Sequence, residues 1–261
     1  MRAMWTGALS FGLVNIPVRL YSATGDGALK FKYLHKEDLS PIRYARVCRA
    51  DGKEIPFDDI VRGYEYQKGD FVVLTDDDFK KANVRKTKTI DIHDFVDESE
   101  IESIYYDKPY YLEPDENAGK PYALLHQALQ KSKKVGIAKF VIRNKEHLGA
   151  IKPVGGVVVL NQLRFESEIR KPTGLDLPDA KQADTREIDM ALKLIDQLTA
   201  HFKPQQFKDT YTEELQRVIE AKAKGKTFKA KGAEPKPTAV KDLMSTLRAS
   251  LEKGKEKTPA K

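Results

Sequence analysis

MRAMWTGALSFGLVNIPVRLY, residues 1–21, decides how the rest of this 261-residue chain is read. Val14, Ile16, Val18 and Leu20 alternate with Asn15, Pro17, Arg19 and Tyr21, and a period of two marks a strand with one buried face. Pro17 has no N–H to give to a ladder, so the strand is expected at a sheet edge or with Pro17 at an unpaired position. Working outward, segments 71–75, 88–96, 103–107, 110–112, 137–143, 148–152 and 157–163 read as further short strands. Their number and spacing favour a barrel or a sandwich.

Helices interrupt and follow these strands. One is expected over 121–134, with Pro121 in its first turn and Tyr122, Leu125, Ala128 and Leu129 at helical spacing. Asp184-Thr185-Arg186-Glu187 has the form of a capping box ahead of an apolar face of Ile188, Ala191, Leu192, Ile195 and Leu198, and Pro204 is the expected stop. Leu215, Val218 and Ile219 give a second helix from about 212 toward 222. The fold class is thus β-rich mixed α/β.

Composition narrows the function classes. Hydrophobic residues at 40%, with 11 Tyr and 11 Phe, supply a sizeable core. No apolar run has the length of a membrane span, and no secretory apolar region follows Met1-Arg2, so a cytoplasmic protein is expected. One cysteine, Cys48, excludes an intrachain disulfide framework. The formal charge of +7 is unevenly placed: residues 221–261 hold 12 Lys or Arg against 4 Asp or Glu, and the rest of the chain is close to neutral. A basic tail of this kind attracts nucleic acid, an anionic surface or an acidic partner.

Residue order carries more than composition. Trp5-Thr6-Gly7, Ser10-Phe11-Gly12 and Asn15-Ile16-Pro17-Val18 open the chain. Asp59-Ile60-Val61-Arg62-Gly63-Tyr64-Glu65-Tyr66, Tyr105-Tyr106, Lys108-Pro109-Tyr110-Tyr111-Leu112 and Ile137-Ala138-Lys139-Phe140-Val141 follow. In this order, across about the first 200 residues, they resemble bacterial Ku, the homodimeric ring that binds broken DNA ends. The resemblance implies a Ku-type β-barrel core over 1–182 with an extended bridge at about 31–66. It further implies a helical C-terminal arm over 183–220, a flexible lysine-rich linker over 221–239, and a docking segment with a basic end over 240–261. The implied activity is non-catalytic and independent of sequence: a dimeric ring threads onto a duplex end in double-strand break repair by non-homologous end joining.

Contacts of that kind go to phosphates. In the bridge, Arg43, Arg46, Arg49 and Lys53 alternate with Ile42, Tyr44, Val47 and Ile55 and rank first as phosphate contacts; Lys36 and the cluster Lys131, Lys133 and Lys134 rank below them. Lys222, Lys224, Lys226, Lys229 and Lys231 of the linker are expected to follow flanking DNA. Related bridges are often built like a zinc ribbon on Cys-x-x-Cys. Here Cys48-Arg49-Ala50-Asp51 puts Asp51 at the second position, so no cofactor and no metal are expected, Asp51-Gly52 is read as a tight turn, and Cys48 as a small buried hydrophobe. Val240, Leu243, Met244, Leu247 and Leu251 form an apolar stripe on a lone helix that needs a partner surface, in its own domain or in another protein. The stripe resembles the segment through which bacterial Ku engages the multidomain ATP-dependent DNA ligase of bacterial end joining, ligase D.

Two other readings stand beside this one. Asp76, Asp77 and Asp78 suit a metal-dependent nuclease or phosphoesterase, although three aspartates after a strand also read as a helix start. A general basic DNA-packaging protein would account for the charge alone.

Overall fold

A computed structural model of the chain describes residues 1–25, 27–82, 88–143, 145–179, 184–226 and 243–256. They fall into two compact units, Met1–Lys171 and Pro172–Lys261. The opening segment makes two strands rather than one. β1 (Trp5–Phe11) turns at Gly12, whose φ of 60° suits glycine, and returns as β2 (Val14–Ser22), with Trp5 opposite Leu20 and Phe11 opposite Val14. Ile16, Val18 and Leu20 are fully buried, as their alternation requires, while Val14 at the turn stays partly exposed.

From β2 the chain leaves for the bridge, which ends in a hairpin of β3 (Arg62–Gln67) and β4 (Asp70–Leu74) followed by α1 (Asp76–Ala82). It returns as β5 (Thr89–Asp97), then β6 (Tyr106–Pro114), α2 (Gly119–Ser132), β7 (Lys134–Ile142), β8 (Lys145–Val154) and β9 (Val157–Leu163). The strands close a seven-stranded barrel in the order β1-β2-β6-β9-β8-β7-β5. Every pair is antiparallel except the seam, where β5 lies parallel to β1 with Leu9 opposite Ile90. A parallel pair needs a long crossover between its strands. The bridge is that crossover, which is why it projects from the barrel.

Closure removes any edge for Pro17, so its position is explained by the other option. The Pro17 carbonyl accepts from the Asp115 N–H at 3.0 Å, and the β2–β6 ladder begins only at Val18 opposite Pro114. The missing Pro17 N–H falls beyond the last β2 residue paired with β6, while Pro17 stays opposite Ala8 on the β1 side. Inside the barrel, Leu9, Ile16, Val18, Leu20, Ile90, Leu112, Ile151 and Leu160 are fully buried, and α2 packs on this core through Tyr122, Leu125 and Leu129. The interior is filled by these side chains and is not a pore.

Three expectations are corrected in detail. Segment 103–107 is a strand only in its last two residues: Ser103–Tyr105 form a 3-10 turn, and β6 begins at Tyr106. In the second unit, α3 (Thr185–Leu198) starts on the expected capping box, with Asp184 accepting from the Arg186 N–H at 2.8 Å and Glu187 from the Asp184 N–H at 3.3 Å. It ends before Pro204 because Thr199 turns extended while its hydroxyl donates back to the Ile195 carbonyl at 2.8 Å. α4 (Thr210–Ala223) runs past 220 into the segment expected to be a linker and ends near Gly225, whose φ is 69°. α5 (Leu243–Glu256) packs on α3 within the same unit, with the Gln197 amide donating to the Leu251 carbonyl at 3.3 Å and Met244, Leu247 and Leu251 half-buried. Val240 lies outside the described residues. Among the described residues no helix is long and apolar enough to cross a membrane.

Candidate nucleic-acid interface

The bridge has almost no core of its own. Every residue from 31 to 73 is exposed except Cys48 and Ile55, which are half-buried. Its shape is set instead by two matching knuckles. In the first, the His35 N–H donates to the Ser40 carbonyl at 2.8 Å and the Leu39 N–H to the His35 carbonyl at 2.9 Å. In the second, the Cys48 N–H donates to the Lys53 carbonyl at 2.9 Å and the Gly52 N–H to the Cys48 carbonyl at 3.0 Å. Leu39 and Gly52 take the same left-handed conformation, with φ of 59° and 71°. The Asp51-Gly52 turn therefore forms, and His35-x-x-Asp38 repeats it thirteen positions earlier in register with Cys48-x-x-Asp51.

Each aspartate is spent on its own knuckle. Asp38 accepts from the Ser40 N–H at 3.0 Å, the Ser40 hydroxyl at 2.7 Å and His35 Nδ1 at 2.9 Å; Asp51 accepts from the Lys53 N–H at 3.2 Å. Both carboxyls are held below the usual range, first by these backbone N–H bonds, and for Asp51 next by the Cys48 thiol. The residues do not fit a ribbon-type metal. Among the described residues no three His, Cys, Asp or Glu side chains are grouped to hold an ion, and the carboxylates already accept from their own turns. Cys48 is half-buried against Asp51 rather than the buried hydrophobe expected.

The four first-ranked cations share the bridge but not the same freedom. Arg43 pairs with Glu54 at 3.1 Å and Lys53 with Asp51 at 3.4 Å. The Arg46 guanidinium lies 4.9 Å from the Phe57 ring centre, which orients the arm, and among the described residues no carboxylate pairs with it. Arg49 and Lys36 are exposed on the two knuckles. Lys131, Lys133 and Lys134 sit apart, at the C-terminal end of α2. There Lys133 caps the helix with φ of 56° and Lys134 pairs with Asp97 at 2.8 Å. Lys222, Lys224 and Lys226 are exposed at the end of α4; Lys229 and Lys231 lie outside the described residues.

The aspartate cluster is a helix start. Asp76 pairs with Arg62 at 2.5 Å, and Asp78 closes a capping box with Thr75, accepting from its N–H at 2.9 Å and its hydroxyl at 2.6 Å. Arg62 also covers the Phe79 ring at 4.6 Å, tying α1 to the hairpin.

One basic cluster escaped sequence reasoning. Lys108 of β6, Arg143 at the β7–β8 turn, and Lys145 and His147 of β8 line a cavity of about 790 Å³ at one end of the barrel. The four come from three segments that only the strand register brings together. No spacing rule links them.

Comparison with known proteins agrees with this architecture. The profile of the Ku70/Ku80 beta-barrel domain matches residues 10–190. A protein of Opitutus terrae named non-homologous end joining protein Ku is 48% identical, with all of this chain and 96% of the relative covered. Proteins of the same name from Archaeoglobus fulgidus and Bacillus subtilis are 42% and 40% identical, covering 97% and 100% of this chain and 99% and 86% of their own lengths. A barrel closed through a projecting crossover, the residue blocks along its strands, and full-length identity of this degree place the chain in the Ku family.

Proposed function

We propose that two copies of this chain form a ring that binds the ends of duplex DNA without regard to sequence, in double-strand break repair by non-homologous end joining, and that the ring recruits a ligase rather than catalysing a reaction itself. The observation that carries the reading is the exposed bridge. A two-stranded ribbon is at best marginally stable alone, yet Tyr64 and Phe71 of the β3–β4 hairpin are 65% and 62% exposed, and among the described residues every residue of the two strands except Leu74 is exposed. A second copy supplies the missing cover about a two-fold axis, in which each bridge meets the same surface of its partner. Arg46 and Arg49, with charges not cancelled by a carboxylate, then face a duplex through its phosphates. The compartment that fits this role is the cytoplasm, at the nucleoid.

α5 is the ligase contact in this reading. Its Met244, Leu247 and Leu251 lie half-buried on α3, so docking on the ligase of bacterial end joining competes with α3 for the same apolar stripe. The decisive experiment compares linear DNA with covalently closed circles of the same sequence. Retention on linear DNA only, without metal-dependent cleavage, supports the ring. Equal binding to circles supports a packaging protein, and cleavage supports an enzyme. Leu243→Asp with Leu247→Asp is expected to abolish ligase stimulation while leaving end binding intact.

A further inference from the structure

We infer that the cavity at the bridge end of the barrel is a phosphate-binding pocket gripped by Lys108 and Arg143; this deepens the end-binding reading and rests on it. The pocket is walled by Ser22, where β2 hands the chain to the bridge, by Lys108, by Arg143, Lys145 and His147 around the β7–β8 turn, and by Gln162. α2 occupies the other end, where His126 meets the Gly155 carbonyl of the β8–β9 turn at 3.0 Å. Among the described residues no carboxylate lines the cavity. The two carboxylates beside it are engaged elsewhere. Glu168 holds Lys145 at 3.0 Å and the Phe165 N–H at 3.0 Å, and Asp107 holds Arg164 at 3.0 Å and the Gln162 amide at 3.2 Å. Among the described residues, Lys108 and Arg143 have no ion-pair partner.

Cations gathered without counter-charge repel one another, so the arrangement is costly unless an anion enters. The contrast with the groove beside α2 is direct. There Lys134 and Lys152 are each matched, by Asp97 and Glu98, which leaves Lys133 at the α2 cap as the third lysine of the lining. Burial, and after it Asp107, raises the Tyr110 phenol above its ordinary value with Arg143 opposing them, and burial together with Lys145 holds the His147 imidazole below its ordinary value, against opposing pulls from Glu168 and Asp107. A guanidinium offers a planar fork to phosphate oxygens and an ammonium a point charge. The volume, against about 30 Å³ for a water, admits a sugar–phosphate unit with its hydration.

The phosphate comes either from a duplex strand or from a small free phosphate, and one set of measurements separates them. His147 in the full chain is followed by NMR while inorganic phosphate, then a short blunt duplex with or without 5′-phosphates, is added. Lys108→Gln and Arg143→Asn, the latter chosen because asparagine tolerates the φ of 51° at that turn, are expected to abolish the His147 response. Together they are expected to reduce the salt slope of duplex binding by about 0.9, the loss of one phosphate. A response to either duplex assigns an internal phosphodiester, and one confined to the 5′-phosphorylated duplex assigns the terminal group. A response to inorganic phosphate in a chain that fails to bind duplex keeps the pocket and refutes end binding. End binding that persists with a silent His147 and an unchanged slope overturns the pocket and spares the ring.

Discussion

Tyr122→Phe tests how the barrel is held shut. The Tyr122 hydroxyl donates to the Leu112 carbonyl at 2.7 Å and accepts from the Val158 N–H at 2.7 Å, standing between the two partners of a β6–β9 pair. The side chain is 8% exposed and its pKa is raised by burial. Phenylalanine keeps the ring and strands two buried backbone groups. At about 1–3 kcal/mol for each unsatisfied group, less the gain from removing a buried hydroxyl, the barrel should lose about 2–4 kcal/mol. Trp5, the one tryptophan, lies on β1 and reports this unit by fluorescence. With a urea m-value of about 2 kcal/mol per molar, the midpoint should fall by about 1–2 M with m unchanged. Because the folded phenol has the higher pKa, its contribution is complete below the unfolded value near 10 and fades as pH rises through the folded one. The gap between parent and variant should therefore narrow in alkali. A midpoint shift below about 0.2 M at neutral pH, equivalent to about 0.4 kcal/mol, would mean that β6 and β9 close onto each other directly and that the hydroxyl is dispensable.

Three further outcomes follow from the geometry. Gly7→Ala should prevent barrel closure, because a Cβ at that site lies 2.1 Å from the Lys88 carbonyl oxygen at the parallel seam; a Trp5 fluorescence melt like the parent's would refute the close approach. Glu54→Gln releases Arg43 from its partner, so if that arginine reaches DNA the salt slope should steepen by about 0.9; an unchanged slope removes Arg43 from the contact set. The knuckle carboxyls of Asp38 and Asp51 have depressed pKa values, so their support is present above the unfolded value and lost as pH falls through the folded one. Hydrogen exchange at the His35, Leu39, Cys48 and Gly52 amides should accelerate there, and Asp38→Asn should show the faster exchange of the first knuckle already at neutral pH.

Much of the barrel was legible because burial imposes a period. Ile16, Val18 and Leu20 alternate, and Tyr122, Leu125 and Leu129 recur at helical spacing, since each faces one continuous core. Segment 103–107 was misread because a 3-10 turn and a short strand differ in backbone hydrogen bonding, which residue type reports poorly there. The end of α3 was misread for a similar reason: Pro204 is a visible breaker, while the Thr199 hydroxyl acts first through a bond to Ile195 that has no distinct signature. In the bridge, the cations were visible but their partners were not. Arg43 and Glu54 are eleven positions apart and meet only because the second knuckle folds between them.

By itself, then, the sequence determined the family, the strand that opens the barrel, the helix caps and the basic character of the tail, all properties set by residue order and local periodicity. Tertiary structure alone decided which charges are free. Pairing acts through space: it cancels Arg43, Lys53 and Lys134 against carboxylates the strand and knuckle geometry brings near, and among the described residues it leaves Lys108 and Arg143 uncancelled at the barrel end. Coulomb energy depends on distance and surroundings, and neither is written in the order of residues.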